Sequence, residues 1–344
     1  MATRPVNGRS TPTIYDVARV AGVAPSTVSR AFSRPDRVNA ETAERIRVVA
    51  AELGYRTNPL ARAPPTGRTS MIALASSDIT NPYYFEIIRG AQAAAAERGY
   101  TTLLADSQES MRREREALDR AIPTVDGIVL ASTRMSDSAI RMMAKQRPVI
   151  VVNRDITDVP SVVTDHPMSV RQAVDHLEEL GHRRITYLAG PEAAWANGMR
   201  WRSLRTYSAE RDLQVHRLGP YPPTVAGGVR AAMDFATHRT TAVIAYNDLV
   251  AIGFMKRLTA FGARLPRDVS VVGFDNIFAC ELVTPGLTTV APPLRTLGSV
   301  AVHNLLALIG GAHATLDQTP LLPTRLYVRD STDRPPARQR AWTG

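Results

Sequence analysis

The sequence predicts an all-α helix-turn-helix unit followed by a larger α/β domain with parallel sheets. Three observations predict it. Residues 13–56 carry apolar residues at helical spacing, interrupted by turn residues. Residues 57–69, TNPLARAPPTGRT, hold three prolines and a glycine and read as a linker. From Met71 onward, apolar β-rich runs alternate with helical segments, the rhythm of parallel strands covered on both faces.

Bulk properties bound the function. A chain of 344 residues with 44% apolar residues suits two or three domains with sizeable cores. No apolar run is long enough for a transmembrane helix. The N-terminus MATRPVNGRSTPT lacks the apolar stretch of a signal peptide, so a cytoplasmic protein with no membrane partner is expected. The lone cysteine, Cys280, fits a reducing compartment and reads as a small buried hydrophobe. Net charge is +10, and residues 1–68 hold eleven Arg against five acids. Such a basic segment suits phosphate contacts, because counterion release drives nucleic-acid binding. Only Lys145 and Lys256 are lysines. A coding bias explains Arg over Lys, but it does not explain the clustering.

Residues 1–12 read as a disordered arm. In Thr13–Arg30, TIYDVARVAGVAPSTVSR, the residues Ile14, Val17 and Ala18 form one face of a short helix. Gly22 makes the turn with positive φ. Pro25 suits the first position of a second helix, whose cap is weak because Ala24 offers no acceptor. Val28 and Ala31 face the first helix, leaving Ser26, Thr27, Ser29 and Arg30 outside. That is the helix-turn-helix arrangement, with one Arg available to a major groove. A third helix is expected from its cap Asn39 to Leu53, ended by Gly54. The runs MIALASS, TTLLADS, VDGIVLAS, PVIVVNR, SVVTD, RRITYLAG, TAVIAYND and VSVVGFDN then read as core strands, in one large sheet or in two lobes. Ligands in such folds bind at strand carboxyl ends. Asp78, Asp106, Asn153, Arg154, Asp165, Asn247, Asp248 and Asp275 stand there. The tail after Arg329 reads as disordered.

TIYDVARVAGVAPSTVSRAF, followed by RVNAETAERIRVVAAELGYRTNPLARA, resembles the DNA-binding headpiece of the LacI/GalR family of bacterial transcriptional regulators. The resemblance covers nearly the whole chain, through DITNPYY, AERGY, VDGIVL, ELGHRRITYLAGP, AYNDLVAIG, DVSVVGFDNI and PGLTTV. It implies an all-α headpiece at 13–56, a hinge at 57–68 and a sensor at 69–332. The sensor is expected to be a two-lobed, periplasmic-binding-protein-like α/β domain with parallel sheets. Lobe 1 would span about 69–164 and 292–319, lobe 2 about 165–291 and 320–332, with a disordered tail at 333–344.

The resemblance also implies roles. Pro25, Ser26 and Arg30 occupy base-reading positions, and Arg30 can fork onto guanine. Tyr15, Thr27, Ser29, Asn39 and Tyr55 match positions that anchor phosphates or the headpiece itself. Tyr55 reads equally as packing. In the hinge, Asn58, Leu60, Ala61 and Arg62 contact DNA, and Pro64 stands where relatives carry a Leu that wedges into the minor groove. Pro64-Pro65 should stop the hinge helix near Ala63, so either Pro64 inserts between bases or the hinge is a spacer. The implied partners are palindromic double-stranded operator DNA, a second copy of the chain in a homodimer, and a small-molecule effector.

The implied effector residues are Asp78, Tyr83, Asp165, Trp195, Arg200, Asn247 and Asp275, with Arg202 a possible substitute for Arg200. Carboxylate, amide and guanidinium groups around a ring match a sugar or polyol, whose hydroxyls both donate and accept. A nucleobase or nucleoside is the alternative ligand, and a sugar-binding protein without DNA function the distant one. The competing reading of Asp248 is a helix cap, and that of Arg154 a structural ion pair. There is no GxxxxGK[ST] loop, GxSxG elbow or HExxH pair. Neither an enzyme, a cofactor nor a metal site is expected.

Overall fold

The computed structural model describes residues 12–55, 68–312 and 321–337. It forms two compact units divided between Thr69 and Ser70. The arm residues 1–11 and the hinge residues Asn58, Leu60, Ala61, Arg62 and Pro64 lie outside the described residues.

In the first unit α1 (Ile14–Ala21), α2 (Pro25–Ser33) and α3 (Ala40–Glu52) enclose one small core. The Asp16 carboxylate accepts from the Thr13 hydroxyl and backbone N–H, at 2.7 and 2.9 Å, closing the first turn of α1. Those bonds hold the Asp16 pKa below its usual value. Gly22 ends α1 at φ +65°, a conformation only glycine adopts without cost. Pro25 opens α2, and Asn39 caps α3 by accepting from Glu41 N–H at 2.9 Å. Val17, Val28 and Ile46, one per helix, are fully buried. Each such side chain stabilises the unit by roughly 1.5–3 kcal/mol.

The second unit carries two six-stranded sheets. Sheet 1 holds β1 (Met71–Ser76), β2 (Thr101–Asp106), β3 (Gly127–Ala131), β4 (Val149–Val152), β5 (Ser161–Thr164) and β11 (Leu321–Leu322), in the order β11-β5-β4-β3-β1-β2. Sheet 2 holds β6 (Arg184–Leu188), β7 (Gln214–Leu218), β8 (Ala242–Ala245), β9 (Ser270–Phe274), β10 (Thr288–Ala291) and β12 (Arg325–Tyr327), in the order β12-β10-β9-β8-β6-β7. All pairings are parallel except β10 with β12. Alternation along β1 shows why both faces are covered. Ile72 and Leu74 pack under α4 (Tyr83–Glu97) and α11 (Leu294–Ile309). Ala73 and Ala75 face α5 (Met111–Ala121) and α6 (Asp137–Ala144). Sheet 2 is sandwiched likewise between α9 (Val225–Phe235) with α10 (Asp248–Ala260) and α7 (His166–Glu179) with α8 (Trp195–Glu210). A Cβ on Gly228 would lie 2.1 Å from the Val250 carbonyl oxygen, so α9 and α10 approach only because that residue is glycine.

The chain crosses between the lobes after Thr164, after Ala291 and after Leu322. The last crossing corrects the expected boundary at 320. Leu321 and Leu322 still pair with Val163 and Thr164 of lobe 1. The start of the tail is also corrected. Ser331 is fully buried, its hydroxyl donating to Val271 O at 2.6 Å and accepting from Thr288 N–H at 2.8 Å. Asp333, expected within a disordered tail, bonds Ser270 Oγ through its backbone N–H at 3.0 Å and meets His182 Nε2 through its carbonyl at 2.9 Å. Residues 338–344 lie outside the described residues.

Candidate functional site

In the first unit, α2 turns its apolar residues inward and leaves a polar face outward. Ser26, Ser29 and Arg30 are exposed, while Pro25 and Thr27 are half-buried at the turn. No described residue pairs with the Arg30 guanidinium. Tyr15 stands out from α1 at 70% exposure, a ring with no core to fill. Asn39 is exposed but uses its side-chain oxygen as a cap. Tyr55 packs its ring on Phe32, centroids 6.0 Å apart. Arg34 and Arg37, not singled out in the sequence, are exposed beyond α2 with no acidic partner among the described residues. They extend the positive edge that a phosphate backbone requires.

In the second unit, Tyr83, Arg200, Asn247 and Asp275 come together around one cavity between the lobes. Each follows from its element. Tyr83 starts α4 just past β1, Asn247 caps α10 just past β8, and Asp275 follows β9. Arg200 reaches in from the second turn of α8, whereas Arg202 is exposed. Tyr83, Asn247 and Asp275 thus stand beyond strand carboxyl ends, where the sheet leaves open backbone and polar side chains converge.

The cavity holds about 20 Å³, room for about one water. Arg200, 4% exposed, stands 3.8 Å from the Asp275 carboxylate. Its Nη1 donates to the Tyr246 carbonyl, and its plane lies 4.2 Å over the Phe274 ring. Burial pushes the Asp275 carboxyl well above the usual range, Arg200 pulls it back, and Asp248 adds to the rise. Two buried polar atoms around the cleft lack a hydrogen-bond partner, Arg200 Nε and His166 Nδ1. Unpaired buried groups are costly, and these atoms are available to a ligand's hydrogen bonds. Backbone strain collects here too. Glu109, Ser132, Asn153 and Asp275 all have positive φ, with Asp275 at +111°.

Other expected residues are placed differently. Trp195 lines an adjoining space and meets the His166 ring edge-on, centroids 5.5 Å apart. Asp78 lies at the outer mouth of the cleft. Asp165 spends its carboxylate capping α7, accepting from Met168 N–H at 2.9 Å. The next residue, His166, is the one buried beside the cavity, with Nε2 3.0 Å from Asn153 Oδ1. Burial, and then Arg200, keep His166 neutral by lowering its pKa. Asn247, expected to meet ligand, accepts from Val250 N–H at 2.9 Å and donates to Pro223 O at 3.2 Å. The cap reading of Asp248 is therefore corrected. Its carboxylate instead takes Thr289 Oγ1 at 2.6 Å, Ile277 N–H at 3.0 Å and Cys280 Sγ at 3.1 Å. Burial lifts its pKa to about 6. Arg154 pairs with Asp137. Arg134, Glu109, Tyr246 and His166 also line or adjoin the cleft and were missed; their signal was position just past a strand.

A family model described as "Bacterial regulatory proteins, lacI family" matches residues 13–58, and a "Periplasmic binding protein-like domain" matches residues 174–332. The HTH-type transcriptional repressor CytR of Escherichia coli K12 is 32% identical over 330 residues, covering 93% of this chain and 96% of that protein. The chain belongs to the LacI family. The HTH-type transcriptional regulator CelR of Thermobifida fusca is also 32% identical, over 94% of this chain and 99% of CelR. Among solved structures, the lac repressor dimer bound to operator and the anti-inducer ONPF superposes with TM-score 0.82 at 26% identity, over 94% of this chain and all of that one. A CelR–cellobiose complex superposes with TM-score 0.68 at 30% identity, over 93% and 99%. This LacI-family chain is thus a DNA-binding transcriptional regulator with a helix-turn-helix headpiece and a two-lobed sensor. No helix among the described residues is long and apolar enough to cross a membrane.

Proposed function

We propose that the chain is a repressor that reads a palindromic operator as a homodimer and is released by a sugar or sugar-like polyol bound between its lobes. The carrying observation is the meeting of Arg200, Asp275, Asn247 and Tyr83 around one cavity, with Arg200 Nε unpaired. Guanidinium, amide and phenol donate to a hydroxyl while the carboxylate accepts, the double demand every sugar hydroxyl makes. The regulator acts by binding, with no catalytic step. Trp195, Asp78 and Asp165 serve the cleft less directly, as flank, mouth and helix cap.

Dimerisation is supported by β2, the edge of sheet 1, whose Leu103 and Leu104 are exposed at 38% and 41%. An unprotected apolar edge strand calls for cover, and a second copy supplies it with the two-fold symmetry a palindrome requires. On DNA, Arg30 reads base edges with Pro25 and Ser26, while Tyr15, Thr27, Ser29, Asn39 and Tyr55 hold position. The hinge residues Asn58, Leu60, Ala61, Arg62 and Pro64 act between the half-sites.

The test is thermal shift of the full chain against a panel of sugars and nucleosides. A sugar that raises Tm and lowers operator affinity is expected. Stabilisation by nucleosides alone would remove the sugar assignment.

A further inference from the structure

Past Arg134 and Glu109 the small inner cavity continues into a much larger space between the lobes. The inner cavity holds about 20 Å³, the outer space about 960 Å³. Binding sites for small molecules run from roughly 300 to 1,000 Å³, so the outer space is at the top of that range. Its lobe 2 wall includes Pro191, Pro220 and Pro222, flat apolar faces suited to the C–H face of a pyranose. Asp78, Asp106 and Glu192 line the same space and can accept from hydroxyls. Apolar faces beside carboxylates make a second sugar-type surface, separate from the Arg200–Asp275 centre.

Arg134 and Glu109 line both spaces. The Arg134 side chain is 6% exposed and donates through Nε and Nη2 to the two Glu109 oxygens, at 2.7 and 3.1 Å. Its Nη1 donates to Ser132 O at 2.8 Å. Gln108 and Glu109 both hold positive φ, +49° and +59°, which side chains avoid unless the site demands it. This pair stands between the Tyr83–Arg200 centre and the mouth, where a bond linking two sugar rings would pass. After the Glu109 fork is made, the guanidinium retains N–H groups for a ligand acceptor, and the carboxylate oxygens retain lone pairs for a ligand hydroxyl.

We propose that the effector is an oligosaccharide of at least two units, and that Arg134 and Glu109 select it over a monosaccharide. One unit sits at Arg200 and Asp275 once the lobes part. The next sits in the mouth against the proline wall, bonded by Arg134 and Glu109. This inference rests on the sugar reading above.

The test is calorimetric titration of the full chain with matched pairs: glucose with cellobiose and maltose, galactose with lactose, and xylose with xylobiose. One disaccharide should bind about ten-fold or more tightly than either component monosaccharide, the yield of one or two hydrogen bonds to charged groups. Arg134→Gln and Glu109→Gln should collapse that ratio, while Arg200→Met weakens both members of the pair. The wild-type ratio is informative whether or not a variant folds. A monosaccharide bound as tightly as its disaccharide would overturn the proposal, as would Arg134→Gln weakening both ligands by one factor. If no sugar of either length binds, the sugar reading fails first and takes this inference with it.

Discussion

Asp275→Ala removes the carboxylate that faces the buried guanidinium of Arg200 at 3.8 Å. At that distance unit charges interact by roughly 4 kcal/mol for an effective dielectric near 20. Two features reduce the effect. Both partners are buried, so part of their attraction only offsets the cost of desolvating them. Arg200 also keeps the Tyr246 carbonyl and the Phe274 ring face. A loss of about 2–3 kcal/mol in folding stability is expected, just below the usual cost of stranding a buried charge. Because Asp275 holds φ +111°, alanine adds backbone strain, and Asp275→Asn is the control that loses charge while tolerating that φ better. The assay is urea unfolding followed by tryptophan fluorescence, on wild type, both Asp275 variants, Arg200→Met and the double variant. Coupling above about 0.5 kcal/mol between positions 200 and 275 is the expected result. An Asp275→Ala loss below that figure, with strictly additive effects, would refute the buried-pair reasoning.

Three further outcomes are expected. Arg30→Ala should weaken operator binding by about 1–3 kcal/mol and relax preference at one base pair per half-site; a competition titration showing full preference would remove Arg30 from base reading. Gly228→Ala would push a methyl to 2.1 Å from Val250 O, forcing α9 from α10 at about 1–3 kcal/mol, read as a lower urea midpoint; an unchanged midpoint would count against that packing. Burial lowers the His182 pKa from its ordinary 6.5, so the unfolded chain takes the proton first as pH falls. Its contribution is full above 6.5 and shrinks as pH drops toward the folded value. Between about pH 8 and about pH 5.5, Tm should therefore fall less in His182→Gln than in wild type; an equal fall would exclude His182 as a source.

What the sequence made legible follows physical rules. Gly22, Pro25, Asn39 and Gly54 mark helix ends because each answers a local backbone demand. Strands such as GIVLA and VIVV are legible because burial on both faces writes a continuous apolar run. Strands β7, β10, β11 and β12 were not among the expected core strands. β7, QVHRL, is a half-exposed edge with no such run. The short β11 and β12 exist through distant partners, as Leu321 with Val163 and Thr289 with Tyr327. In the cleft, Asn247 and Asp275 stood out as polar groups just past apolar runs, while Arg200, on a helix, was legible only through the family resemblance. Asp165 and Asp248 show the limit. One residue along a helix start turns the side chain by about 100°, so Asp165 caps while His166 enters the core, and Asn247 caps while Asp248 is buried. Arg134 lies in an irregular segment three residues past β3, where no period predicts direction.

The central claim is that this chain recognises a symmetric DNA sequence under control of a ligand in its cleft. Selection of bound duplexes from a randomised library by the purified full chain, then sequencing of those retained, tests it most directly. A palindrome of two half-sites is expected, lost from the retained pool when a cleft-binding sugar is present. A retained pool with no sequence preference, or with a preferred site that is unpaired and indifferent to every sugar that binds, would contradict it.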